Sequence, residues 1–204
     1  GSGTAGGVFD RPQAYYVPGY LAVVIVLTPF SRVGSTVARY RSNRRFEKLA
    51  TTPLTKIEWV LAHAVVTTVL VGIAVVILLL ALIGLAGFSI HVGPGLALFV
   101  IVGTVLHVAI GALIGILADS QDGVIAAANG IGIPLVFLAE TFLPPETLPT
   151  AARPLVALLP LTYFSRGVRA ATLNGGSYTG DFAVLLAVTV IAIAIAAARL
   201  PWTE

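Results

Sequence analysis

Long apolar runs alternate with short polar breaks along the whole chain. The runs extend over approximately Tyr20–Ala38, Trp59–Ala86, Gly95–Leu117, Val124–Phe142 and Phe182–Ala198, and the charges, prolines and glycines collect between them. Each run is long enough, at about 1.5 Å per helical residue, to approach or exceed the ~30 Å of a bilayer's hydrocarbon core. The first is apolar through Phe30 and then carries Arg32, whose long stem can snorkel to an interface. The second holds no Asp, Glu, Lys or Arg and crosses with tilt. The last sits between Asp181 and Arg199. None alternates with period two, which argues against a β-barrel. The pattern predicts an all-α polytopic membrane bundle, five spans in a single transmembrane domain covering residues 1–204.

Two connections stand apart from ordinary loops. Residues 39–58 concentrate charge, whereas residues 143–180 mix prolines with apolar residues. Prolines 144, 145, 149, 154 and 160 each disfavour a helix interior by about 3 kcal/mol, so the run Leu155–Leu159 is too short and too bracketed to cross. Further on, Tyr163, Phe164 and Val168 share one helical side, with Arg166 and Arg169 on another. This predicts short interfacial or re-entrant helices, arginines toward headgroups and aromatic rings as anchors.

Composition sharpens the class. The chain is 57% hydrophobic and only 10% charged, against about a quarter charged in soluble domains, so no sizeable soluble domain fits in its 204 residues. It has no cysteine, which excludes disulfides and thiolate metal sites. It has no methionine either, and its opening GSGTAGG reads as an expression scar or the interior of a longer chain, so the natural N-terminus is expected upstream. Eight basic residues fall on one side of the five-span arrangement (Arg32, Arg39, Arg41, Arg44, Arg45, Lys48, Lys56, Arg199), and four on the other (Arg11, Arg153, Arg166, Arg169). By the positive-inside rule, loop 39–58 and the C-terminus are cytoplasmic, and the outer amphipathic segment 143–180 faces out.

Candidate chemistry is sparse. No Gly-rich loop with Gly-Lys-Ser/Thr is present, so any ATP chemistry belongs to a partner. His63, His91 and His107 have no second ligand at metal spacing, no metal site is expected, and no hydrolase arrangement occurs. His107 either makes an interhelical hydrogen bond or belongs to a polar translocation path. Glu140 is the one acid well inside an apolar run, either a functional intramembrane acid or a group facing water at the interface. Gly111 and Gly115 form a GxxxG, either a specific packing seam or a chance spacing in a glycine-rich sequence; Gly130, with Gly132, serves close helix approach or a local break ahead of Pro134. The basic residues follow topology, and no nucleic-acid partner is indicated.

Four stretches together resemble one family. YYVPGYLAVVIV (Tyr15–Val26) is similar to the start of the second span in the type-2 permease family of ATP-binding-cassette (ABC) exporters. RRFEKLATTPLTKIEWVLAH resembles that family's cytoplasmic stretch ahead of its third span, with Glu47, Leu49, Thr52 and Pro53 in place. GIPLVFLAETFLPPETLP looks like its fifth span and proline-rich exit, including Pro144 and Pro145. LLPLTYFSRGVRA is similar to its outer motif, matching Pro160, Thr162, Tyr163 and Arg169. The family often has Gly where Arg44 stands and Ser-Gly near Glu140-Thr141, and its first span and preceding amphipathic helix are missing here.

The resemblance implies a six-span subunit in a prokaryotic plasma membrane. It would pair with a second permease subunit and ride on nucleotide-binding ABC ATPase subunits that carry ATP and Mg, this chain holding no cofactor. The substrate, drug-like, lipid or lipid-linked polysaccharide, would leave through a dimer interface lined in part by the first and fourth spans here. Coupling to the ATPase falls on Arg44, Arg45, Glu47, Lys48, Leu49, Thr52, Pro53 and Leu54. Thr52-Pro53 suits the end of one helix and the first turn of the next, and Arg44, Arg45 and Lys48 pair with acids on the partner or with anionic lipid. The alternative is a secondary transporter driven by an ion gradient, which needs intramembrane charge near the midplane and has only His107 and Glu140 to offer.

Overall fold

A computed structural model describes residues 11–147, 149–174 and 176–202. The opening residues 1–7 lie outside these, as does Leu148 of the 143–180 segment. Among the described residues there is no strand. A 3-10 turn, Gln13–Tyr16, leads into α1 (Val17–Ser42); α2 (Arg45–Leu49), α3 (Lys56–Gly84), α4 (Pro94–Leu117) and α5 (Gln121–Leu138) follow. Then come α6 (Arg153–Ala157), α7 (Pro160–Arg169), a π-helical turn at Ala170–Asn174 and α8 (Thr179–Arg199). Helices α1, α3, α4, α5 and α8 are long and apolar enough to cross a membrane.

Helices α1 and α4 form the centre and pack along each other; α5 lies against α1, and α3 and α8 lie against α4. Helices α3, α5 and α8 turn most of their surface outward, as exposed Val65, Val69, Ile77, Ile131 and Val190 show. Lipid tails are as apolar as these side chains, so no hydrophobic gain holds the centre together, and close contact must do it. The α1–α4 seam is correspondingly stripped of side chains. A Cβ on Gly111 would lie 2.7 Å from the Pro29 carbonyl oxygen, and one on Gly115 would collide with the backbone of Gly34. Gly34 answers from α1, where a Cβ would sit 3.0 Å from the Gly111 oxygen. The expected GxxxG seam therefore joins α4 to α1.

Gly130 has no such role: a Cβ there would meet nothing within 4 Å. Its neighbour Gly132 faces α1 instead, where a Cβ would lie 2.6 Å from Leu27. Nor does the chain break ahead of Pro134, since α5 runs through that residue. His107 makes no interhelical hydrogen bond. It is buried beside the Phe30 ring, and its Nδ1 donates to the carbonyl of Gly103 one turn back in α4, at 2.6 Å. Buried hydroxyls of Thr104, Ser165 and Thr189 likewise bond the carbonyl four residues earlier, so each is satisfied within its own helix.

The 143–180 segment folds inward more than the pattern suggested. Pro160 opens α7 at its first position, where its missing N–H costs nothing. Leu161, Phe164 and Val168 are fully buried, and Phe164 meets Phe99 of α4 edge-on at 6.5 Å. Gly167 lies under the same Phe99 ring. Phe164 is thus a core residue and no interfacial anchor, because α7 is wedged among α1, α4 and α8. The arginines are also redirected, as described below.

A Gly115→Ala substitution forces backbone against backbone. It should cost about 2 kcal/mol of stability, within the usual range for overpacking, whereas Gly130→Ala should be neutral or gain up to about 1 kcal/mol from helix propensity. Thermal unfolding of the two variants in one detergent checks the contrast.

Candidate functional site

Two clusters of polar residues occupy opposite ends of the bundle. At the first, the α2 end, α1 continues to Ser42 and the chain turns at Arg44, whose φ of 51° lies in the left-handed region. A side chain there costs about 1–2 kcal/mol that glycine would not. The turn releases α2, a five-residue helix with Phe46 at its buried face. Phe46 sits in an aromatic cage, its ring 5.5 Å from both Tyr40 of α1 and Trp59 of α3. Arg45 stacks over the outer side of Tyr40 at 5.4 Å.

The C-terminal end of this short helix is closed. The Thr51 and Thr52 hydroxyls donate to the carbonyls of Lys48 and Leu49, at 2.8 and 2.7 Å. Pro53 then lies in a bend and does not start α3. The helix begins three residues later, at Lys56, because Thr55 caps it: the Glu58 N–H donates to the Thr55 hydroxyl at 3.3 Å, and the Thr55 N–H donates to the Glu58 carboxylate at 2.7 Å. Such a reciprocal capping box satisfies two orphan donors at once, which a proline at the first position does not. Arg44, Arg45, Glu47 and Lys48 all point to solvent, while Leu49 and Leu54 are half-buried. The Arg44–Glu47 pair, 3.9 Å apart and exposed, adds little to stability.

Arg41 performs a task that its role in charge counting did not foreshadow. One guanidinium nitrogen donates to the Ile116 and Ala118 carbonyls at 2.6 and 3.0 Å and approaches that of Gly115 at 3.4 Å. It closes the C-terminus of α4, where free carbonyls concentrate negative partial charge. Beside it, Tyr40, Glu47, Asp119 and Pro201 border a polar cleft of about 270 Å³. The same end thereby gathers α1, α2, the α4–α5 turn and the C-terminal tail.

At the other end, the α7 end, α5 stops at Leu138, four residues short of the expected Phe142. Glu140 is the reason: its φ of 54° is left-handed. Its carboxylate is 6% exposed and turned away from water. Arg166 of α7 grips it with two parallel bonds, from Nε at 2.9 Å and Nη2 at 2.6 Å. A carboxylate at a helix C-terminus opposes the helix dipole, so it persists there only with such a partner. Arg169 completes the closure by donating to the carbonyls of Glu140 and Thr141. It also stacks on the Tyr15 ring at 4.1 Å and bonds the Tyr15 carbonyl at 3.3 Å.

Arg166 and Arg169 therefore turn toward the end of α5 and not toward headgroups. Burial holds Arg169 below the ordinary arginine value, while the hydrogen bond to Glu140 holds Arg166 above it. The remaining motif residues are scaffolding. The Thr162 hydroxyl donates to the Val156 carbonyl at 2.6 Å and ties α7 to α6. The Pro144 carbonyl accepts from Thr147, and Pro145 starts the 3-10 turn Pro145–Thr147. Tyr163 is half-buried against the core.

Thr55-x-x-Glu58 was readable from sequence as a capping box. Arg41, Phe46 and Tyr15 carried no local signal, since each depends on a partner brought by the fold. No three His, Cys, Asp or Glu residues among those described cluster so as to hold a metal ion.

A family model described as ABC-2 family transporter protein matches residues 10–198. No curated protein and no solved structure matches.

Removing Arg166 strands a buried carboxylate. Arg166→Met should cost about 2 kcal/mol, below the ~3–5 of fully buried pairs because the arginine is 42% exposed. The double variant Arg166→Met/Glu140→Gln should recover most of that loss in a double-mutant cycle of unfolding midpoints. Arg44→Gly should raise stability by about 0.5–1 kcal/mol, the ~1–2 of left-handed strain relieved less the ~0.5–1 that glycine loses in backbone entropy, measured the same way.

Proposed function

The chain belongs to the ABC-2 family of transporter proteins, and on that premise we propose that it forms the membrane pathway of an exporter driven by ATP hydrolysis on a separate subunit. Family members are the transmembrane subunits of ABC transporters, lack the ATPase site, and generally work with a nucleotide-binding ATPase subunit. In the proposed assembly that subunit binds ATP and Mg at the α2 end, which is the cytoplasmic face of a prokaryotic inner membrane. A second permease subunit packs against this one, and an amphipathic substrate of the drug, lipid or lipid-linked polysaccharide class moves outward between them.

Helix α2 supports the coupling part of this reading. It is too short to be stable alone, yet hydroxyl caps close its C-terminal end and Phe46 wedges it between α1 and α3. Its charged side chains face outward. A push delivered to Arg45, Glu47 or Lys48 would pass through the Phe46 cage to two spans together. The ion-gradient reading has less to work with: His107 is bonded to its own backbone, and Glu140 is locked to Arg166 at the end of the bundle.

Purified alone, the chain should hydrolyse no ATP; co-expressed with its nucleotide-binding subunit, it should co-purify as an active complex. Glu47→Lys and Pro53→Ala should each lower ATP-dependent transport in vesicles by about tenfold, equivalent to ~1.4 kcal/mol, while the complex still assembles. Wild-type transport by both variants would remove α2 from the coupling path. ATP-independent uptake would favour the ion-gradient reading.

A further inference from the structure

Between α3 and α4 a groove of about 290 Å³ opens sideways from the bundle. Thr68, Gly72 and Leu79 border it on α3, and Gly93, Ala97 and Ile101 on α4. Gly72 makes the trough: a Cβ there would meet nothing within 4 Å. Val76 and Ile101 at its margins are 56% and 45% exposed, and the groove continues into the apolar face of α3 formed by Val65, Val69 and Ile73. That face is the surface a membrane-spanning α3 presents to the bilayer.

The groove's length selects its occupant. Thr68 to Leu79 spans eleven residue-to-residue steps, about 16 Å at ~1.5 Å each, close to half of a ~30 Å hydrocarbon core. It therefore starts at the α7 end and stops near mid-height. A helix from a second copy would need the full height and far more room. A single alkyl chain fits both the depth and the apolar lining. At the mouth stands His91, exposed and held by its backbone N–H bond to the Thr172 carbonyl at 2.9 Å. Its ring borders Gly93, where a Cβ would lie 2.9 Å from Nε2. The imidazole thus stands at the level at which a lipid headgroup meets its chains.

We propose that the α3–α4 groove holds one acyl chain of a phospholipid from the leaflet on the α7 side, with His91 hydrogen-bonding its phosphate. The site uses the bilayer as its source and lies apart from both polar clusters.

The test reconstitutes the full chain into phosphatidylglycerol vesicles doped with phosphatidylglycerol that bears a diazirine on one acyl chain. After irradiation, labelled peptides are mapped by mass spectrometry. Label at Gly72–Leu79 and Ala97–Ile101 should exceed that at Val65 and Val69 by about tenfold, reflecting the extra apolar contact inside the groove. Gly72→Leu, which fills the trough without meeting backbone, should abolish the excess, and His91→Ala should reduce it. Gly84→Leu, also at an open position, should leave it intact and controls for folding. Equal labelling of groove and outer face would mean annular lipid only and overturn the proposal. So would an excess that survives Gly72→Leu, or an oxidative cross-link between two copies through Val76→Cys, which would put a second chain on the groove.

Discussion

Main-chain contact between α1 and α4 is the constraint on which this structure rests. In a bilayer the side chains that drive soluble folding gain nothing by leaving lipid, so helices must fit closely enough for dispersion and shape to hold them. Gly34, Gly111 and Gly115 permit that fit, and the buried surface of α1 and α4 is its product. Because α1 is 26 residues long, about 39 Å, it reaches both ends of the bundle. Its C-terminal turns carry Tyr40 and Arg41, and the turn leading into it carries Tyr15. The two polar clusters are thereby built on a single rod, and any shift of α1 against α4 is felt at both.

Each cluster contains one strained residue. Arg44 and Glu140 are the non-glycine residues with positive φ among those described, and each marks the end of a long helix. At Glu140 the strain is compounded by a buried charge, offset by two short bonds from Arg166 and by the Arg169 closure. The charge adds something that simple chain reversal does not need: a fixed distance between the end of α5 and α7. Since α5 is otherwise held mainly through α1, this ion pair decides how freely its far end moves.

The spans were legible in the sequence because hydrocarbon demands unbroken apolar runs, and this demand is local. Proline signals in the 143–180 segment were legible for the same reason. Helix ends were less so. The end of α5 at Leu138 depends on a partner 26 residues away, and the Arg41 closure of α4 on carbonyls more than 70 residues away. No window of sequence contains such pairs. Pro53 misled because a proline at a first helical turn is a common start, whereas the Thr55–Glu58 box two residues later is the stronger one. His107 misled for a related reason: a polar group in an apolar helix finds its nearest acceptor in its own backbone.

Arg41 and Arg169 share a habit that bears on how such a protein diversifies. Both grip main-chain oxygens, those of Gly115, Ile116 and Ala118 in one case and of Tyr15, Glu140 and Thr141 in the other. A carbonyl is the same in every residue. Around Ile116 and Ala118 the sequence is thus free to drift without loosening the joint, whereas Gly115, Tyr15 and Glu140 are each held by a contact of their own. Arg169 has no such latitude, because it bonds through both Nε and Nη2 while its plane stacks on Tyr15, a combination lysine does not reproduce. Variation is tolerated where only a carbonyl is gripped and barred where the guanidinium plane is used, which leaves the exposed turns open to change while the frame stays the same.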